Sequence, residues 1–376
     1  MSKLRPLVSG LAPAVRVFRR ISRDVNPRHH AFSARVYISS ASTYHSLSSP
    51  TTFYYSTNSS KFPYHLSNTL AQKSQFGNLR QKSQSRNMSN NADLLINKVF
   101  DVKDKIALVT GGGSGIGLMI TQTLAVNGAK VYIVGRTEEK LENVVQHHGK
   151  DIAGQIIPIT ADVRSKEGVE KLVKDLESKE SHLDILVNNA GIAAPKTETT
   201  AETPEKLREN LLNPTSVDEW TSQYATNVVG PYLLTTGFLP LLNKATEHTY
   251  GYSGTVVNIS SISGMVRISQ GHFSYNASKG AAVHLNKMLA TEIAKAGFKI
   301  RINSIAPGVF PSEMTTQESG DNQKSKMPKD HKGGLPSQRP GNDRDMAATI
   351  LFVVGCQYLN GQTVTVDGGY LIQAGT

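Results

Sequence analysis

From about residue 101 the chain alternates short apolar runs with stretches whose apolar positions recur every three or four residues. The runs at 106–110, 131–134, 156–160, 183–187, 255–259, 300–305 and 363–366 read as strands. Between them, 116–126, 138–147, 166–178, 220–242, 275–296 and 343–354 carry helical periodicity. Strand, helix, strand at this spacing implies right-handed crossovers and a parallel sheet covered on both faces. The pattern predicts an α/β fold, with one doubly wound, seven-stranded parallel sheet in a single domain over 101–376.

Two polar inserts break the rhythm. One spans 193–218, after the fourth strand; the other spans 311–341, after the sixth, and is rich in Lys, Gly, Pro, Asp and Gln. Both leave the carboxyl ends of strands, the edge at which open α/β sheets bind ligands. The second is longer than ordinary connections, which marks it as an active-site lid. The plainer reading of both is solvated loop.

Residues 1–92 differ in texture. They hold 13 Lys or Arg and a single acid, Asp24, whereas the other 284 residues hold 28 basic and 29 acidic groups. The formal net charge of +11 therefore belongs to the leader, and the body gives no reason to expect a nucleic-acid partner. An Arg-rich, Ser-rich, acid-poor segment has the composition of an organelle transit peptide. Leu4, Leu7, Leu11, Val15 and Phe18 recur at helical spacing, although Pro6 and Pro13 interrupt it. Three readings stay open: a mitochondrial address, a disordered extension on a cytoplasmic protein, or a stretch upstream of a working start at Met88. Cys356 is the only cysteine, which excludes an intrachain disulfide and fits a reducing compartment. No apolar run approaches the roughly 18 residues of a membrane span.

The chemistry concentrates in three places. In Tyr275-Asn-Ala-Ser-Lys279, phenol and ammonium stand one helical turn apart on one face. An ammonium there favours phenolate and is expected to lower a pKa that is ordinarily about 10. Ser261 follows a β-rich run and can present a hydroxyl beside the phenol, so that a carbonyl oxygen between them accepts a proton while hydride reaches its carbon. Thr110-Gly-Gly-Gly-Ser-Gly-Ile-Gly117 joins the first strand to the first helix. It departs from G-x-G-x-x-G, but Gly111, Gly115 and Gly117 permit a tight turn, and the helix start at Ser114, Gly115 and Ile116 offers free N–H groups to a diphosphate. The second strand ends Val134-Gly135-Arg136, without the acid that would hold a ribose 2′-hydroxyl. Arg136 suits a 2′-phosphate, so NADP(H) is expected ahead of NAD(H). Asp162 and Val163, after the third strand, would lie beside the adenine; Asp162 could also be a helix N-cap.

Together these residues resemble the short-chain dehydrogenase/reductase family, in its single-domain Rossmann-fold branch of about 250 residues. The resemblance covers about 101–373 and runs through TGGGSGIG (110–117), NNAG (188–191), Asn227 in TNVVGPY, Ser261 in NISSISG, YNASK (275–279), IAPGVFPSEMT (305–315) and VDGGY near the end. It implies Tyr275 as general acid in reduction and base in oxidation. Lys279 would lower the tyrosine pKa and bind the nicotinamide ribose, Ser261 would polarise the carbonyl, and Asn227 would fix a relay water. Ser260 is a neighbouring competitor, but the S-x-x-G spacing to Gly264 favours Ser261. Asn188 and Gly191 would line the cofactor, and Pro307 to Val309 would cover the nicotinamide. No metal is implied.

The stretch PGVFPSEMT, with the M-P, R-P-G and D-M-A-A residues downstream of it, is most similar to the rhamnolipid-pathway 3-oxoacyl reductase group. That similarity implies a 3-oxoacyl thioester or a comparable ketone as the small-molecule partner. The resemblance also implies a homodimer or homotetramer through the helices at 220–242 and 275–296, whereas the plainer reading of the sequence is that their apolar residues face the sheet. Two alternatives remain: an NAD-linked polyol or secondary alcohol dehydrogenase, and, from another class, a cofactor-sensing or interaction protein on the same scaffold.

Overall fold

The structure, a computed structural model, describes residues 90–327 and 335–375. The readings of the leader rest on residues outside these, as does the part of the long insert at 328–334.

A short helix α1 (Ile96–Val99) precedes a regular alternation: β1 (Ile106–Thr110), α2 (Gly115–Val126), β2 (Lys130–Gly135), α3 (Glu138–His148), β3 (Gln155–Thr160), α4 (Lys166–Lys179) and β4 (Ile185–Asn188). The second half adds α5 (Pro204–Leu212), α6 (Val217–Tyr224), α7 (Gly230–Gly237), α8 (Leu239–His248), β5 (Thr255–Ile259), α9 (Phe273–Lys295), β6 (Arg301–Pro307), α10 (Glu313–Thr316), α11 (Asp343–Gly355), β7 (Thr363–Val366) and α12 (Tyr370–Ala374). The seven strands form one sheet in the order β3-β2-β1-β4-β5-β6-β7, every pair parallel. The order reverses between β1 and β4, and the carboxyl ends on either side of that switch open a crevice.

Strand alternation divides the apolar residues between two cores. Ala107, Val109, Val131, Ile133, Ile185 and Val187 share one core with Leu118 and Leu124 of α2, Leu141 and Val144 of α3, and Ile350 and Val353 of α11. Ile106, Leu108, Tyr132, Leu186 and Val256 share the other with Leu172 of α4, Leu234 of α7, Leu241 of α8 and Leu289 of α9. Each fully buried Leu, Ile or Phe contributes about 1.5–3 kcal/mol. β1, β4, β5 and β6 are buried throughout, as interior parallel strands are. Pro158, which has no N–H, is tolerated because β3 is an edge.

A line of amides crosses the second core. Asn188 and Asn258 are partners in the β4–β5 register. The Asn188 Nδ2 donates to Asn258 Oδ1 at 2.8 Å, and Asn258 Nδ2 donates to Asn286 Oδ1 on α9 at 2.9 Å. Asn188 Nδ2 also reaches Thr235 Oγ1 of α7 at 3.2 Å. These groups sit where desolvation is severe, so each bond prevents the larger penalty of an unsatisfied amide.

Two expectations need correction. The single helix predicted over 220–242 contains a π-turn at Ala225–Val229, through which the backbone stays helical from α6 to α7, and it breaks at Phe238, between α7 and α8. Pro231 has no N–H to return to the carbonyl four residues back, and Phe238 leaves helical conformation just before Pro240. The insert at 193–218 is not all loop. It contains α5, started by Thr203, whose side chain accepts from the Lys206 N–H, and by Pro204 at the first turn.

Removing the middle amide tests the ladder. Asn258→Ala should lower unfolding free energy by on the order of 2 kcal/mol or more, because the Asn188 and Asn286 amides lose a buried partner. Urea denaturation reads this directly, and a loss below about 0.5 kcal/mol would mean that the ladder is dispensable.

Candidate active site

The glycine loop is shaped by what cannot fit. Gly111 and Gly115 have φ of +64° and +53°, and a Cβ on Gly117 would lie 2.1 Å from the Gly111 carbonyl oxygen. The turn after β4 braces this loop. Asn189 Nδ2 donates to the Thr110 and Gly111 carbonyls at 3.0 and 3.1 Å, and Thr110 Oγ1 accepts from the Asn189 and Ala190 N–H groups. Ser114 stands at the N-cap of α2 without a capping side-chain bond. The first N–H groups of that helix therefore face the crevice with the positive end of its dipole.

The second cluster forms where the turn after β5 lies against α9. A Cβ on Gly264 would come within 2.5–2.6 Å of Lys279 and Gly280 backbone atoms, so only glycine allows that approach. It brings Ser261 beside Tyr275 and Lys279. Lys279 is 4 % exposed. Its Nζ donates to the Ile259 carbonyl at 2.9 Å and lies 5.7 Å from the centre of the Tyr275 ring. Among the described residues no carboxylate pairs with it. Burial lowers the Lys279 ammonium from its ordinary 10.5 to about 8. Burial also raises the Tyr275 phenol, while the adjacent Ser261 hydroxyl acts in the opposite direction. The expectation of a phenol lowered by its lysine is thus corrected: desolvation outweighs the neighbour and favours the neutral form of both groups.

Ser260 and Ser261 separate cleanly. Ser260 Oγ is bound to Ser304 Oγ at 2.7 Å and to the Ile305 carbonyl at 3.0 Å. Ser261 Oγ accepts the Ser263 N–H at 3.1 Å and remains next to the phenol. Asn227 lies in the π-turn. Its Oδ1 accepts the Ile192 N–H, while its Nδ2 donates to the Ile192 carbonyl and to Ser278 Oγ, each at 3.0 Å. The side chain therefore ties α9 to the NNAG turn. Gly191 fills the gap, since its Cβ would stand 3.2 Å from Asn227 Oδ1 and 3.5 Å from Lys279 Nζ.

The remaining candidates divide. Pro307 ends β6 at the crevice, and Val309 follows, its carbonyl accepting the Gly341 N–H at 2.9 Å. Ile116 packs on the core beneath the loop. Arg136 is exposed just beyond β2 and close enough to Asp162 to act on its charge; among the described residues it makes no hydrogen bond or ion pair. Asp162 is held by Arg164, whose Nη2 donates at 2.6 Å, and the carboxyl lies below its usual value chiefly because of that bond. It is not the cap of α4; Ser165 is, accepting the Gly168 N–H at 3.0 Å. The Val163 side chain belongs to the core. Asn188 is likewise turned into the core by the amide ladder, rather than lining the crevice. Sequence reasoning missed Asn189 and Ser278. Their signal was position: one follows the last residue of a strand, and the other precedes Lys279 by one.

The glycine cradle, the uncapped helix start, and a buried ammonium with one protein acceptor suit a dinucleotide carrying a diphosphate and a ribose. The family model described as short chain dehydrogenase matches residues 105–323. The short-chain dehydrogenase/reductase PhomF of Diaporthe leptostromiformis is 36% identical over 292 residues, covering 74% of this chain and 95% of its own. The rhamnolipids biosynthesis 3-oxoacyl-[acyl-carrier-protein] reductase of Pseudomonas aeruginosa is 32% identical over 273 residues, covering 72% and 98%. Among solved structures, the Pseudomonas aeruginosa RhlG/NADP active-site complex is similar with a TM-score of 0.61 and 30% identity, covering 72% of this chain and 98% of that one.

The buried ammonium has a signature in stability. An unfolded lysine keeps its proton to about 10.5, whereas Lys279 in the folded chain releases it near 8. Between those values the unfolded state binds more protons, so this residue makes stability rise with pH; below about 8 its desolvation penalty is fully present. In cofactor-free protein, the stability advantage of Lys279→Met over wild type should shrink by on the order of 3 kcal/mol across that window. A difference independent of pH in urea titrations would show that the ammonium is hydrated.

Proposed function

The chain belongs to the short-chain dehydrogenase family, and we propose that within it the chain works as an NADP(H)-dependent oxidoreductase interconverting a ketone and a secondary alcohol. The observation that carries this reading is the convergence of the Ser261 hydroxyl, the Tyr275 phenol and the Lys279 ammonium at the buried end of the crevice that begins at the glycine loop. A bound nicotinamide would supply or accept the hydride.

The residues themselves handle the oxygen and its proton. The Ser261 hydroxyl donates to the substrate oxygen, and Tyr275 delivers the proton as charge develops there. Burial favours the neutral phenol, the form that can act as acid in reduction. Lys279 spends one donor on Ile259, which leaves donors for ribose hydroxyls, and its charge lies close enough to stabilise phenolate once the proton has left. Asn227 positions this machinery by joining the Ile192 backbone to Ser278, whose Oγ donates to the Tyr275 carbonyl at 2.8 Å. The family resemblance supports Asn227 as the residue that would fix a relay water.

Arg136 supports the phosphorylated cofactor, since its guanidinium projects at the end of β2 where a 2′-phosphate would need a forked cation. The resemblance to 3-oxoacyl reductases supports a 3-oxoacyl thioester or similar ketone as substrate. Exposed Val229 at the start of α7 and Tyr232 on it, with Phe273 and Met288 on α9, support self-association through those helices.

Tyr275→Phe should retain dinucleotide affinity and lose about 10²–10⁴-fold in turnover. Survival of more than about a tenth of the activity would assign the acid elsewhere. Arg136→Ala should weaken NADPH by roughly tenfold or more with little change for NADH, as loss of a charge-assisted bond implies. Equal losses in a fluorescence titration would make Arg136 structural. A reductase panel of acetoacetyl thioesters, sugars and small diketones tests the substrate class; activity confined to sugars would reject the thioester reading.

A further inference from the structure

The segment after β6 does more than pass over the crevice. Ser312 lies against the glycine loop so closely that a Cβ on Gly115 would stand 2.8 Å from the Ser312 Cβ. Beside it, Glu313 Oε1 accepts Lys140 Nζ of α3 at 2.7 Å and Ser319 Oγ at 2.6 Å. The Ser114 hydroxyl at the N-cap of α2 also bears on this carboxylate. Burial alone would raise the Glu313 carboxyl, but the hydrogen bonds from Lys140 and Ser319 and the lysine charge hold it below its usual value, so it is an anion. The segment is fastened further along as well. His148 Nε2 donates to the Asn322 carbonyl at 2.8 Å, which leaves His148 Nδ1 to accept from Gln122 at 2.9 Å, and Lys324 Nζ pairs with Asp343 at 2.6 Å.

A carboxylate and the start of α2 thus occupy one neighbourhood, and the loop there is built for phosphate oxygens. We infer that Glu313 is an internal anion held at the edge of the phosphate-binding loop, and that a dinucleotide binds by displacing it and taking over Lys140. The inference rests on the reading of the glycine loop as a diphosphate site. It concerns the diphosphate and not the 2′-phosphate, because the contacts are with Ser114 and Gly115 and not with Arg136. Glu313 and a diphosphate cannot share one lysine beside the start of α2 without repulsion, and the diphosphate carries the larger charge. Glu313 keeps Lys140 and the loop ordered in the free protein, at some expense of cofactor affinity.

Calorimetric titration of the full chain with NADP+ and NAD+ separately tests this. Glu313→Gln keeps the shape and removes the charge, and should tighten both dinucleotides by about two- to fivefold. Lys140→Met should weaken both by a comparable factor, leaving Glu313 at the loop without its cation. Glu318→Gln, an exposed acid on the same segment, controls for net charge and should leave both affinities unchanged. Unchanged or weaker binding by Glu313→Gln, equal tightening by Glu318→Gln, or tightening confined to NADP+ would each overturn the inference. Hydrogen exchange at 312–323 in Glu313→Gln should rise in free protein, and unaltered protection would overturn the clasp itself. If neither dinucleotide bound wild type or any variant, the diphosphate reading would fall and this inference with it.

Discussion

A lysine ammonium almost wholly removed from water, with one backbone carbonyl as its partner among the described residues, is the constraint around which the crevice is built. Burying an unpaired charge is expensive, and proteins ordinarily relieve it with a carboxylate or by shedding the proton. Here the Ile259 carbonyl, at the end of β5, takes one donor. Several otherwise unrelated features serve to keep the ammonium there. Gly264 lets the turn after β5 lie against the Lys279 backbone, Gly191 leaves room beside the amine, and the Asn227–Ser278 bond fixes the turn of α9 that carries it. A carboxylate at that point would make a better ion pair and a poorer site, because it would consume the donors that a ribose could use and cancel the field on the phenol.

The same logic separates the two ends of the crevice. At the phenol end the protein excludes water, which shifts both the phenol and the ammonium towards their neutral forms. At the glycine-loop end it gathers charge, since an uncapped helix start, Lys140 and Glu313 stand together. Lys140 and Glu313 both retain solvent exposure, so their attraction is screened and exchangeable. That suits a surface that must let a ligand in. The buried end suits a proton that must not escape to water.

Most of the sheet is legible in the sequence because interior parallel strands are short, apolar and separated by amphipathic helices. β1, β5 and β7 fall on the apolar runs, and the other strands differ from theirs by one to two residues at their ends. Periodicity misreads 220–242 as one helix because it continues through the break; the π-turn and the break at Phe238 leave the apolar spacing nearly intact. Helix α5 escapes for the opposite reason. It buries none of its residues, its apolar positions Leu207, Leu211 and Leu212 span little more than one turn, and its Thr203-Pro204 start is the stronger signal. Asp162 resembles a cap because it follows β3, but Arg164 holds the carboxylate and Ser165, nearer the helix, takes the cap. The sign of the tyrosine shift is not legible at all: a spacing of four residues reports a neighbour and says nothing about desolvation.

The adjacent pairs Asn188–Asn189 and Ser260–Ser261 show why residue type alone could not finish the site. Asn188 is the last residue of β4, so its side chain obeys strand alternation and points into the core with its register partner Asn258. Asn189 is released from that alternation and turns back to hold the glycine loop. Ser260 still behaves as strand, its N–H bonded to the Ile305 carbonyl and its hydroxyl to Ser304; Ser261 begins the next turn and faces the phenol. In both pairs the structural copy belongs to the ladder and the crevice-facing copy lies one residue beyond it. The carboxyl edge of a parallel sheet is where strand geometry stops dictating side-chain direction, and there a polar residue is free to serve the crevice.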